Sequence, residues 1–159
     1  MGNGRFILSL DFELHWGVSD IWNLEDRLDY FDSTRKSIPL VLDLFKAYDI
    51  HATWATVGYL FAKDKKQLLS FFPEQLPTYV NQKLSNYTLF EQNGVGANEA
   101  DDPYHFAPSL IELILKTPNQ ELGTHTFSHY YCNEEGQTVH QFDLDLQAAQ
   151  KLAQENFGV

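Results

Sequence analysis

Phe6-Ile-Leu-Ser-Leu-Asp-Phe-Glu-Leu14 alternates with period two: Phe6, Leu8, Leu10, Phe12 and Leu14 share one face, and Ile7, Ser9, Asp11 and Glu13 share the other. That alternation predicts a strand over 6–14, and its second face becomes acidic only towards the end. Two carboxylates side by side at the carboxyl end of a strand repel one another. Either open solvent or a compensating cation or proton must stabilise them, and the strand alone leaves the two open. Downstream, Ile38, Val41, Leu42, Phe45 and Tyr48 recur at helical spacing, which predicts an amphipathic helix from about Thr34 to Tyr48 with Pro39 tolerable only in its first turn. Ile50-His-Ala-Thr-Trp-Ala-Thr-Val57 is β-branched and aromatic and stops at Gly58, as a second strand would. Strand, helix, strand implies a parallel crossover and an α/β fold. His51, at the start of the second strand, reads as structural.

Between the first strand and the helix, residues 18–32 carry Asp20, Glu25, Asp26, Asp29 and Asp32 among Trp22, Tyr30 and Phe31, and read as an acidic, solvated loop. Residues 59–107 are less regular. One or two helical turns fit Tyr59 to Phe72, after which Pro73, Pro77, Gly94, Gly96 and Pro103 break any pattern, so the segment is expected to be a long insertion or lid. Within it Asp101-Asp-Pro-Tyr-His-Phe106 is either a turn with a satisfied His105 or a source of polar and aromatic groups for a substrate. Pro108 opens a short helix to Lys116 whose Leu110, Ile111, Leu113, Ile114 and Leu115 leave little polar face, predicting deep burial. Glu121 to Thr124 form a third strand. Thr138 and Gln141 make a capping box for a third helix running towards Gly158.

The third strand delivers His125-Thr-Phe-Ser-His129. Histidines four apart lie on one face of a helical turn or strand, so the pair suits one metal ion, although a solvated or hydrogen-bonded pair has the same spacing. A carboxylate or thiolate from elsewhere in the chain would complete a ligand set.

At 159 residues the chain suffices for one domain, which would bury roughly 70% of its unfolded surface. A formal charge of −11 opposes general binding to nucleic acid or anionic membranes. The single cysteine, Cys132, permits no internal disulfide, and no apolar run approaches the roughly 20 residues of a membrane span. The N-terminus lacks the regions of a signal peptide, so the expected location is cytoplasmic.

Ser-Leu-Asp-Phe-Glu at 9–13, Ala-Thr-Trp-Ala-Thr-Val-Gly at 52–58 and His-Thr-Phe-Ser-His at 125–129, in this order and strand context, resemble the polysaccharide deacetylase family, carbohydrate esterase family 4. The resemblance implies a distorted (β/α) barrel of which residues 1–159 are an N-terminal portion, about three βα units with a long insertion at 59–107. It implies Asp11 as catalytic base, Glu13, His125 and His129 as ligands of a divalent metal, and an acetylated carbohydrate as substrate. The commonest family pattern has the two acids adjacent. Here Phe12 separates them, which leaves open which acid is base and which is ligand. Zinc is the first choice of metal, although 2-His-1-carboxylate sets also hold iron, and His105 and Tyr130 are the candidate substrate-binding residues. Two alternatives stand beside this: a related hydrolase of non-sugar linear or cyclic amides, and a non-catalytic metal-binding or interaction module. The family's later motifs are absent, so the chain as it stands is expected to be a poor or inactive deacetylase. Uncovered half-barrel edges make self-association into a homo-oligomer a further expectation.

Overall fold

Three parallel strands form the sheet whose ends carry Asp11, Glu13, His125 and His129. The computed structural model describes residues 4–92 and 94–159. In chain order the elements are β1 (Ser9–Phe12), α1 (Leu28–Ala47), β2 (Ala52–Thr56), α2 (Lys65–Ser70), α3 (Thr88–Glu91), α4 (Pro108–Lys116), β3 (Gln120–Thr124) and α5 (Val139–Phe157). The sheet order is β1-β2-β3, with Asp11 opposite Ala55 and Ala55 opposite Gly123. One face of the sheet carries Phe12, Trp54 and Thr56 into the core. The other carries Ser9, Asp11, Thr53, Ala55, Glu121 and Gly123, which are small or polar and at least partly exposed.

The first strand is shorter than the alternation predicts. Phe6 and Ile7 are 90% and 82% exposed, because pairing starts only at Ser9 opposite Thr53. Leu14 takes φ 50° and turns the chain out of the sheet into a tight turn, Leu14–Gly17. Strand 6–14 is therefore corrected to Ser9–Phe12.

Helix α1, by contrast, starts six residues before the expected Thr34 and absorbs the end of the acidic stretch 18–32. Burial of Phe31, at 2% exposure and edge-on to Tyr30 at 5.4 Å, gives the added turns a tertiary reason to form. Pro39 then falls in the helix interior rather than the first turn. The backbone hydrogen bond that proline forfeits is offset by burial of Ile38, Leu42 and Phe45 on the same helix.

Residues 59–107 supply much of the core, including Tyr59, Leu60, Phe61, Leu68, Tyr87 and Phe106. Arg35 of α1 clasps this segment, pairing with Glu99 at 2.5 Å and donating to the Pro103 and Phe106 carbonyls at 2.9 and 3.2 Å. Helix α4 buries Leu110, Ile111 and Ile114 but leaves Leu113 36% exposed, so it covers the sheet with one face instead of being deeply buried all round. Helix α5 forms as its sequence directs. Thr138 and Gln141 close a reciprocal capping box, and Gly158 ends the helix at φ 73°. No helix among the described residues is long and apolar enough to cross a membrane.

Candidate metal centre

The Glu13 carboxylate stands between two imidazoles. Its Oε1 lies 2.8 Å from His125 Nε2 and 3.2 Å from His129 Nε2, and one donor atom from each of the three side chains falls within 4.8 Å of the others. Glu13 is the first residue beyond β1, and the two histidines follow β3, so the centre forms at the carboxyl ends of the strands. There the backbone of the histidine loop is stitched to the end of β2. His125 N–H donates to Thr56 O at 2.8 Å, Gly58 N–H to Thr126 O at 2.8 Å, and Tyr59 N–H to Phe127 O at 3.0 Å. A Cβ on Gly58 would lie 2.8 Å from Phe127 Cα, so only glycine lets the two segments approach this closely. Gly17 plays the matching part for the acid, since a Cβ there would lie 1.9 Å from Glu13 Oε2.

Thr126 and His129 adopt φ 64° and 57°, conformations that side chains disfavour outside a restraining environment. The restraint comes from Asp145 on α5, which is fully buried. It accepts from Phe127 N–H at 2.6 Å, from Ser128 Oγ at 2.5 Å and from Tyr87 Oη at 3.4 Å. Burial pushes the Asp145 carboxyl up from its ordinary range, opposed by those donors. Sequence reasoning does not single out Asp145 or Gly17, and it takes Gly58 only as the end of the second strand and of its motif. An acid at helical spacing reads as solvated, and only tertiary structure reveals its partners.

Hydrogen bonds from His125 and then His129 hold the Glu13 carboxyl down at about 2, against the opposing effect of burial. The same bond from Glu13 raises the pKa of His125. The three side chains fit a divalent ion by donor chemistry: two imidazole nitrogens and one carboxylate oxygen suit zinc, with positions left for water or substrate. Zinc bonds of about 2.0–2.1 Å at tetrahedral angles would separate donors by roughly 3.4 Å, somewhat more than the 2.8 and 3.2 Å that now part Glu13 Oε1 from the two imidazoles. His129 Nδ1 is buried without a hydrogen-bond partner among the described residues, so its ring is oriented by the loop rather than by a second acceptor.

Metal and protons compete for the same nitrogens, and this fixes a pH dependence. A depressed carboxyl such as Glu13 stabilises the fold above its unfolded value near 4.5, and that contribution disappears as pH falls towards 2. A raised imidazole such as His125 contributes fully below its unfolded value near 6.5 and loses its contribution as pH rises through the folded value. The metal-free centre therefore stabilises the fold most between those two unfolded values, whereas zinc binding strengthens as pH rises and the imidazoles shed protons. Thermal shift with and without zinc checks this. The zinc-induced increment should grow from pH 5.5 to 7.5, and an increment that shrank would contradict imidazole ligation.

The model of the family described as polysaccharide deacetylase matches residues 28–159. The chain belongs to the polysaccharide deacetylase family. No curated protein and no solved structure matches it. The match begins at Leu28, so it takes in His125 and His129 while Asp11 and Glu13 precede it. The family match therefore does not reach the two acids, and it is the geometry that brings Glu13 to the histidines.

Asp11 is exposed on the open face of the sheet, close enough for its charge to help raise the pKa of His125. Of the two candidate substrate-binding residues, neither is brought to the surface of the centre. His105 is 1% exposed, with Nδ1 2.7 Å from Asp102 and Nε2 2.8 Å from His15 Nδ1, while His15 Nε2 donates to Trp22 O at 3.0 Å. This buried chain anchors the turn that follows Glu13. Tyr130 is 6% exposed and its hydroxyl donates to Gln137 at 3.1 Å. Its neighbour Tyr131 is the ring beside the centre, 5.3 Å from His129. Tyr131 thus occupies the place beside the centre expected for Tyr130 from the sequence.

Proposed function

We propose that this member of the polysaccharide deacetylase family is a metal-dependent hydrolase that removes N- or O-acetyl groups from a carbohydrate. The observation that carries this is the convergence of Glu13, His125 and His129 on one point at the carboxyl ends of parallel strands. Zinc is the first choice for the ion, held by Glu13 Oε1 and the Nε2 atoms of both histidines. When bound, such an ion supplies Lewis acidity that lowers the pKa of a water and polarises an acyl carbonyl. Asp11 is the base. Its carboxylate accepts the proton of the attacking water as the oxygen bonds to the acyl carbon, and the bond to the sugar nitrogen or oxygen then breaks. The leaving amine also needs a proton, and the chain's buried imidazoles, His15 and His105, are committed to each other. Residues 1–159 alone should therefore turn over slowly.

The open polar face of the sheet supports a part of a distorted (β/α) barrel, in which Asp11 and its neighbours would look inward and 59–107 would be an insertion. Among the described residues β1 and β3 are the edge strands of the sheet, which favours self-association, and light scattering reads this directly. The functional test is acetate release by the full gene product from N-acetylated chitooligosaccharides, O-acetylated sugars and non-sugar amides, with and without zinc. Metal-dependent release from the sugars is expected, and a preference for non-sugar amides would contradict the carbohydrate assignment.

A further inference from the structure

Beside the metal centre a cavity of about 160 Å³ is lined by Asp11 and Glu13, and by Trp22, Tyr30 and Thr34. Trp22 and Tyr30 meet edge-on with ring centroids 5.2 Å apart, and the Arg27 guanidinium stands over the indole at 5.1 Å. Tyr30 is 55% exposed. The pair is held from beneath: His15 anchors the Trp22 carbonyl, and Phe31, buried beside both rings, packs at 6.4 Å from Trp22 and 5.4 Å from Tyr30. An ordered aromatic pair left partly in water beside two carboxylates is the composition of a site that takes an amphipathic ligand. A pyranose is such a ligand, with C–H faces that pack on rings and hydroxyls that donate to carboxylates.

We infer that the Trp22–Tyr30 shelf binds a sugar ring of a neutral N-acetylated oligosaccharide next to the metal centre, an inference that rests on the deacetylase reading above. Charge selects the neutral class. The stretch that forms the shelf carries Asp20, Glu25, Asp26, Asp29 and Asp32 against Arg27 alone, within a chain of net charge −11. Anionic sugars meet like charge there at low ionic strength.

The protein carries its own reporter. Of three tryptophans, Trp16 and Trp54 are 1% and 4% exposed, so Trp22 is the one open to a ligand. The experiment titrates N-acetylated chitooligosaccharide into the chain, with zinc and with chelator, following tryptophan fluorescence and calorimetry. The same titration uses an oligosaccharide of acetylated uronic acids. Tyr30→Ala and Trp22→Phe are compared by calorimetry, with zinc affinity measured alongside to show that the centre is intact. The expected result is a change in Trp22 emission on adding the neutral sugar. Its affinity should fall roughly 3–10-fold in each variant, the scale of one aromatic contact, while zinc affinity is unchanged and the anionic sugar binds the unaltered chain more weakly than the neutral one. Undiminished sugar affinity in both variants would overturn the shelf and leave the deacetylase assignment standing. Zinc binding without binding of any sugar would overturn both the shelf and the carbohydrate assignment. Equal affinity for the anionic sugar would overturn the choice of a neutral ligand.

Discussion

Asp11→Asn should lower acetate release by the full gene product about 10²–10⁴-fold, the usual cost of losing a proton-transfer group, while zinc affinity stays essentially unchanged. Asparagine keeps the size of the side chain and removes its basicity. Asp11 lies outside the cluster in which Glu13 meets both histidines, so zinc should still find its three donors. Glu13→Gln should behave differently, with zinc affinity falling at least 10–100-fold, because even outer partners of a metal site cost that much. Measuring acetate release and zinc binding on both variants settles which acid is base and which is ligand. Loss of zinc in Asp11→Asn together with retention in Glu13→Gln would reverse the two roles.

Asp145→Ala should destabilise the chain by about 3–5 kcal/mol, since it strands the buried Phe127 N–H and Ser128 hydroxyl at about 1–3 kcal/mol each. In a chain of 159 residues that corresponds to a fall in Tm of roughly 6–20 °C. The second effect is at a distance. With its tether gone, the Thr126–His129 loop no longer holds two left-handed residues in place, and zinc affinity should weaken roughly 10–100-fold in the protein that remains folded. Asp145→Glu retains an acceptor and should recover part of the zinc affinity, which a merely global loss of stability would not explain. Calorimetric zinc titration below the variant's Tm, beside thermal unfolding, separates the two effects. Wild-type zinc affinity in Asp145→Ala would show that the loop keeps its shape unaided.

The parts of the fold legible in the sequence were those whose cause is local. Alternation and turn chemistry located three strands to within a few residues at most ends, and the Thr138–Gln141 capping box, Pro108 at the start of α4 and Gly158 at the end of α5 acted where they stand. That Glu13 meets His125 and His129 was legible because the family resemblance names them together and because residues just beyond the carboxyl ends of parallel strands are delivered to one rim. What the sequence hid depends on tertiary partners. Helix α1 extends to Leu28 because Phe31 finds a buried aromatic setting, and burial of its apolar face tolerates Pro39 in its interior. His105 reads either as a satisfied turn residue or as a polar group available to a substrate, and only the structure decides for the first, with Asp102 and His15 occupying both of its ring nitrogens. Tyr130 turns inward, its hydroxyl bound to Gln137, and Tyr131 is the ring beside the centre, a difference set by the loop's tertiary contacts rather than by any local pattern. Asp145 meets its partners from a different element, and no short-range pattern announces it.

The most direct test of the metal centre is a zinc-loaded crystal examined by anomalous scattering at the zinc edge, paired with calorimetry on the wild type and on His125→Ala/His129→Ala. One ion should appear between the Glu13 carboxylate and the Nε2 atoms of His125 and His129, and binding should vanish in the double variant. An ion bound elsewhere, or stoichiometric binding that survives loss of both imidazoles, would contradict the centre assigned to this chain.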